Sequence, residues 1–316
     1  MAAMLLPLLS EAQTPYQQTH ATRPIRLIVP YPASGGTDIV ARAVSALMAE
    51  KLGQTIVVDN RPGAGSIIGV DLAAKSLPDA HTLLFVNLAF AINASLVAKL
   101  PYDSLKDFYP VSLIDTQPHV LLVHPSLPVK STLELISLAR SKPNQITYAS
   151  SGFGTGPHLA TELFSMLSGI HLQHIPYKGA APALFDVMGA HALMTFSTIV
   201  TAMPYLQSGR LKVLGVTSAK RTPQLPNIPT IAESAIDHFE AIGWHLFLIR
   251  AGTPPPLIKR LQSAAVSALK DPSLKERLLS DGADIAGTGS EEAMSFLKTE
   301  ISRWAKVIQA SGIKPQ

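Results

Sequence analysis

Two loops of small residues are where this sequence could do chemistry. The first reads Pro32-Ala33-Ser34-Gly35-Gly36-Thr37-Asp38 and follows the apolar run Ile25–Val29. The second reads Ser150-Ser151-Gly152-Phe153-Gly154-Thr155-Gly156 and follows an apolar run over 146–149. Each joins an expected strand to an expected helix. Free backbone N–H groups at a helix N-terminus attract anions through hydrogen bonds and the helix dipole. Gly and Ser let the main chain itself approach a ligand closely. A charge-assisted hydrogen bond contributes about 1.5–3 kcal/mol. Two such loops facing each other could therefore hold a small dicarboxylate without any Arg or Lys. Taken singly, each loop is also what a tight turn in an α/β protein requires, and that alternative stays open.

Other candidates are thinner. His158 lies one turn into the helix after the second loop, where it could touch a ligand or bond to nearby backbone. Tyr177-Lys178 sits at a third strand-to-helix transition, suited to a ligand contact or to a solvated turn. Asp38 has the chemistry of a general base, but its place in the first helical turn suits bracing of the loop amides. His171 and His174 form His-x-x-His without the third ligand or acid that a zinc site needs. No Gly-x-Ser-x-Gly or Gly-x4-Gly-Lys occurs. Gly63-Ala64-Gly65 with Gly69 has one residue too many for a dinucleotide fingerprint, and Gly152–Gly156 one too few. Ser267/Lys270 and Ser295/Lys298 match Ser-x-x-Lys only on amphipathic terminal helices. The absence of cysteine excludes disulfides, thiolate catalysis and iron–sulfur clusters. No cofactor, metal or catalytic residue is expected.

The elements that must position these loops follow from hydrophobic periodicity. Runs over 25–29, 55–58, 82–86, 119–123, 146–149, 172–175, 193–196, 212–216 and 244–249 read as strands. Helical spacing follows most of them, with Ser131 and Glu134 forming a capping box and Pro157 near a first turn. Three helices close the chain, the last presenting Ala293, Phe296, Leu297, Ile301, Trp304 and Ile308 on one face. This alternation predicts an α/β fold with mostly parallel sheets flanked by helices. The chain has 316 residues, enough for two domains, and 47% apolar residues, enough for real cores. Charged residues make up 15% and the net charge is +4, with no basic run, so the footprint of a nucleic-acid binder is missing. The segment 83–100 is too polar to span a membrane. Ala2 to Leu9, followed by Ser10-Glu11-Ala12, reads as a clipped or wrongly started export signal or as a hydrophobic tail.

Several motifs together resemble a known family. They are Val29-Pro30-Tyr31-Pro32-Ala33-Ser34-Gly35-Gly36-Thr37-Asp38, Val57-Val58-Asp59-Asn60-Arg61-Pro62-Gly63-Ala64-Gly65, Tyr148-Ala149-Ser150-Ser151-Gly152 with His158-Leu159, Pro176-Tyr177-Lys178-Gly179, Val216-Thr217-Ser218-Ala219-Lys220-Arg221 and Ala251-Gly252-Thr253-Pro254-Pro255. In these the chain, from about Arg23 to Gln316, resembles the Bug family of extracytoplasmic solute receptors, the binding components of tripartite tricarboxylate transporters. The resemblance implies a two-lobed, Venus-flytrap periplasmic-binding-protein fold closing over a small carboxylate. It implies chain crossings near 112–118 and 240–244. Domain I would be 23–116 plus 242–316, domain II 117–241, and 1–22 a residual export signal and linker. The ligand-binding set would be Tyr31, Ala33, Ser34, Gly35, Gly36, Thr37, Asp38, Asn87, Ser150, Ser151, Gly152, Gly154, Thr155, His158, Tyr177, Lys178 and Ser197. Implied partners are an organic di- or tricarboxylate and the membrane permease subunits, with the receptor a periplasmic monomer that binds no nucleic acid.

Two departures from that family sharpen the expectation. Relatives commonly carry acidic residues in the strand region at Leu193 and near Ser197, which this chain lacks, disfavouring a ligand with an ammonium group. The export signal is also short. Rival readings are an enzyme acting on a small organic acid, with His158 and Asp38 as acid and base, and a solute sensor serving a signalling partner.

Overall fold

The computed structural model describes residues 23–34, 36–152, 155–177, 179–280 and 282–311. In chain order its elements are β1 (Ile25–Val29), α1 (Gly36–Leu52), β2 (Ile56–Asn60), α2 (Ile67–Ala74), β3 (Thr82–Asn87), α3 (Ala89–Leu96), β4 (Phe108–Val123), α4 (Thr132–Ser141), β5 (Thr147–Ser150), α5 (Gly156–Ser168), β6 (Gln173–Pro176), α6 (Ala180–Met188), β7 (Met194–Thr198), α7 (Ile199–Gln207), β8 (Lys212–Val216), α8 (Ile231–Ser234), β9 (Ile242–Arg250), α9 (Pro255–Ala268), α10 (Pro272–Ser280), β10 (Asp284–Ile285) and α11 (Ser290–Ser311). The expected α/β alternation is present. The N-terminal segment 1–22 and its export reading lie outside the described residues.

The strands order as β2-β1-β3-β9-β4-β7-β5-β6, with β8 and β10 also pairing to β4. β1 runs parallel to β2 and β3, and β5 runs parallel to β6 and β7. Helices cross over between them, as parallel pairs require. β4 and β9 are different. They pair antiparallel from Phe108↔Arg250 to Pro118↔Ile242, and β4 continues through His119–Val123 against β7 and β8. The sheet is therefore mixed, two parallel groups joined by long antiparallel strands.

The sequence reading placed a strand only at 119–123, whereas β4 is 16 residues long. Pro110 and Pro118 lack the ladder N–H and argue against a strand. Here the register against β9 shifts between Pro110 and Ser112, which accommodates the first, and Pro118 stands at the end of that pairing. The structure adds α3 and α7, which the sequence does not predict, and α7 holds Pro204 inside it.

Separate apolar clusters lie around the sheet. One gathers Ile25, Leu27, Val44, Met48, Phe247 and Leu261 between β1, α1, β9 and α9. Another joins Val120, Leu122, Ala149, Leu184 and Val216 beside β4 and α6. The largest runs from Phe90 and Phe108 to Phe164, Phe196 and Trp304. α11 closes this last cluster. Its Glu300, 1% exposed, accepts hydrogen bonds from Trp304 Nε1 at 3.1 Å and from Trp244 Nε1 of β9 at 2.9 Å. Burial pushes the Glu300 carboxyl up, against the pull of Arg303 2.9 Å away.

Candidate functional site

α1 and α5 both begin at one cavity of about 990 Å³. Gly36 and Thr37 reach it from the first loop, and Ser151, Thr155, Gly156 and Pro157 from the second. The two helix N-termini the sequence singled out therefore share a cavity. Its floor comes from the joining strands through Gln117, His119, Gly243, Trp244 and His245. A third wall is the turn Pro62–Ile67 with Asn87, Leu88, Ile92, Asn93, Leu96 and Val97. Among the described lining residues there is no Lys, Arg, Asp or Glu.

The first loop is held by a polar web. Asp38 accepts from Ser34 N at 2.8 Å, from Arg42 Nε at 2.9 Å and from Asn60 Nδ2 at 2.9 Å. Burial opposes ionisation of Asp38, but these donors outweigh it and hold the carboxyl below its ordinary range. Ser34 sits at φ 63°, a left-handed conformation that the bond to Asp38 helps to fix. Asp38 thus braces the loop and is not among the residues lining the cavity. Tyr31 donates from its phenol to Asn87 Oδ1 at 2.7 Å, and burial drives that phenol far above its ordinary range. Asn87 Oδ1 also accepts from Ala89 N at 3.0 Å, which aims Nδ2 at Thr37 Oγ1, 3.0 Å away.

In the second loop Thr155 Oγ1 donates to Gly152 O at 2.7 Å and accepts from Ser151 Oγ at 3.1 Å. Gly152 has φ 127°, and a Cβ there would stand 3.3 Å from Tyr177 O, so glycine serves both backbone shape and close approach. Ser150 Oγ lies 2.7 Å from His174 Nε2, beneath the loop. His158 is 3% exposed and stacks on His174 with ring centroids 4.3 Å apart. Burial, then the neighbouring His174, lowers the His158 pKa to about 4, so the ring is neutral.

Of the residues expected at the site, Tyr31, Gly36, Thr37, Asn87, Ser151 and Thr155 line the cavity. Ala33, Ser34, Asp38, Ser150, Gly152, His158, Tyr177 and Ser197 are not among its lining residues. Tyr177 turns its phenol to Asp186, and Ser197 is buried at 3% while its neighbour Thr198 reaches the cavity. Gly35, Gly154 and Lys178 lie outside the described residues. Neither member of the alternative acid–base pair lines the cavity: Asp38 is bonded within its loop and His158 is stacked on His174.

Sequence reasoning missed His119, Thr198, Trp244, His245 and the turn at Pro62–Ile67. His119 Nδ1 faces the Ala241 carbonyl at 3.4 Å. A carbonyl only accepts, so Nδ1 carries the hydrogen and Nε2 is left as an acceptor. Burial lowers its pKa to about 4. The turn is unusual in holding Ala64, Gly65 and Ser66 at φ 46°, 62° and 83°. Asn93 Nδ2 secures it through Gly65 O at 2.8 Å. The expected crossings at 112–118 and 240–244 were the available signal, since the chain there forms the floor.

Residues 40–313 match the sequence profile of the tripartite tricarboxylate transporter family receptor. The chain belongs to this family. BugT of Bordetella pertussis (strain Tohama I) is 35% identical over 298 residues, covering 94% of this chain and 91% of BugT. The structure of R. palustris Rpa4515 with adipate superposes at a TM-score of 0.78, with 34% identity, 92% of this chain and 98% of that one. MatC from Rhodopseudomonas palustris with bound malate gives 0.73, with 30% identity, 90% and 98%. The Bug-family resemblance and the periplasmic-binding-protein fold read from the sequence are thus established, and receptors of this family are periplasmic solute-binding proteins. Among the described residues no helix is long and apolar enough to cross a membrane.

Proposed function

We propose that this receptor captures a small organic acid lacking an ammonium group between the N-termini of α1 and α5, and delivers it to the permease of a tripartite transporter. The observation that carries this reading is the shared, uncharged cavity at two helix N-termini. Main-chain amides there supply anion affinity, and no carboxylate among the described lining residues is present to welcome a cation. The apolar wall of Ile67, Leu88, Ile92, Leu96 and Val97 suits an acid with an apolar body. Two relatives, solved with adipate and malate, support the ligand class. Segments 23–116 plus 242–316 and 117–241 act as the two lobes, hinged where β4 and β9 run between them, and the receptor works as a periplasmic monomer.

A thermal-shift screen against adipate, malate, citrate, aspartate and glutamate tests the reading. A ligand that binds only the folded state raises the melting temperature by mass action. Adipate or malate should raise it and the two amino acids should not. Amino acids giving the larger shifts would overturn the acid preference, and no shift with any carboxylate would overturn the reading itself.

A further inference from the structure

His245 of β9 lines the cavity, yet its side chain is only 5% exposed and the Asp115 side chain beside it is 0% exposed. His245 Nδ1 faces both Asp115 oxygens, at 2.9 and 3.1 Å, and Nε2 faces Thr37 Oγ1 at 3.2 Å. Hydroxyl, imidazole and carboxylate are thus connected in series, as they are in hydrolytic triads. Here the hydroxyl also takes a hydrogen bond from Asn87 Nδ2 at 3.0 Å, so it is fixed between the amide and the imidazole.

The hydrogen count has a consequence for binding. Thr37 Oγ1 owns one hydrogen and two lone pairs. The carboxylate of Asp115 accepts, so Nδ1 of His245 carries a hydrogen in either charge state of the ring. When the ring is neutral, Nε2 is an acceptor, and Thr37 must turn its one hydrogen toward it. Thr37 then has no hydrogen to offer a carboxylate. When a proton from solvent settles on Nε2, that nitrogen becomes a donor into the second lone pair of Thr37. The hydroxyl hydrogen is released and can swing to the cavity.

We propose that Thr37 is a carboxylate donor governed by His245, so that capture of the acid is accompanied by uptake of a proton at His245 Nε2. Asp115 balances the imidazolium from one side and the bound carboxylate from the other. Few other groups bear on the ring. On β3, Asn87 stands opposite and Phe85 stacks at 5.3 Å, and neither titrates. On β10, Ile285 faces Asp115, with Asp284 one place along opposite Thr116. On α1, Asp38 is turned to Ser34, Arg42 and Asn60. The Tyr31 phenol reaches the ring only through Asn87. Among the described residues, Asp115 is the ionisable side chain hydrogen-bonded directly to this imidazole.

The inference rests on the carboxylate reading, and calorimetry with adipate separates the two. Titrations in buffers of differing ionisation enthalpy, across about pH 5 to 8 where an imidazole changes charge, count the protons exchanged. The wild type should take up close to one proton toward the alkaline end, with affinity falling there by up to about tenfold per pH unit. Thr37→Val should lose the uptake and most of the affinity, whereas Thr37→Ser, which keeps the hydroxyl, should restore both. His245→Gln, with a permanent amide donor, should bind with a flat pH profile. Adipate heat without proton uptake at any pH, or an unchanged pH slope in Thr37→Val, overturns the relay and leaves the receptor reading standing. No heat with adipate or malate in the wild type at any pH removes the carboxylate reading, and the relay with it.

Discussion

Gly36 opens α1 at the cavity, and a Cβ built there meets no atom within 4 Å. Its backbone is in no region reserved for glycine, so a side chain at this position is tolerated by the fold and intrudes only on the ligand. Gly36→Val should leave the melting temperature within about a degree of wild type and reduce affinity for the bound acid more than tenfold, because the lost contacts are charge-assisted amides. Calorimetry and a melting curve on the same sample check both halves. At this scale the sequence was informative where chemistry is local. The bracing role of Asp38 was readable from its place in the first helical turn, and its bonds to Ser34 and Arg42 are both to residues four positions away. Thr37 was readable as a loop residue, but its bond to His245 spans 208 residues. Nothing in a single sequence pairs such distant positions, so the buried His245–Asp115 dyad stayed hidden.

Among the elements, α11 ties together parts of the fold that lie far apart in sequence. It packs on α3, on β4 and on α5, and through Glu300 it holds the indole of Trp244 at the cavity floor. Removing that carboxylate strands two buried N–H donors and takes one of two carboxylate partners from Arg303, which keeps Glu240. Glu300→Ala should therefore cost about 3–5 kcal/mol of stability. Glu300→Gln, which retains an acceptor, should cost distinctly less. Urea unfolding of the three proteins measures the difference, and near-equality of Ala and wild type would show that the clasp contributes little. The amphipathic face of this helix was legible in Ala293, Leu297, Trp304 and Ile308. β4 was legible only in its apolar last third, since prolines and the polar run Asp115-Thr116-Gln117 mask the rest. Of the residues that mask it, Asp115 bonds to His245 of β9 and Gln117 lines the cavity.

For the molecule as a whole, buried neutral histidines set the acid limit. His119 and His158 are lowered from 6.5 to about 4, chiefly by burial, and His174 is lowered for the same reason. Between those values the unfolded chain binds protons that the native rings refuse, so unfolding gains as the pH drops. Stability should be fully present above about pH 6.5 and decline toward pH 4. Melting temperatures across that range test this, and His158→Phe, which keeps a stacking ring without a titration, should flatten part of the decline. The uncharged cavity has a separate, kinetic consequence. Dipoles at helix ends act over the first turn, well inside a Debye length of about 8–10 Å. With no lysine or arginine at the described cavity wall, steering of an anion falls to the net charge of +4 spread over the whole chain. Its encounter rate should therefore fall only mildly as the ionic strength of the medium rises.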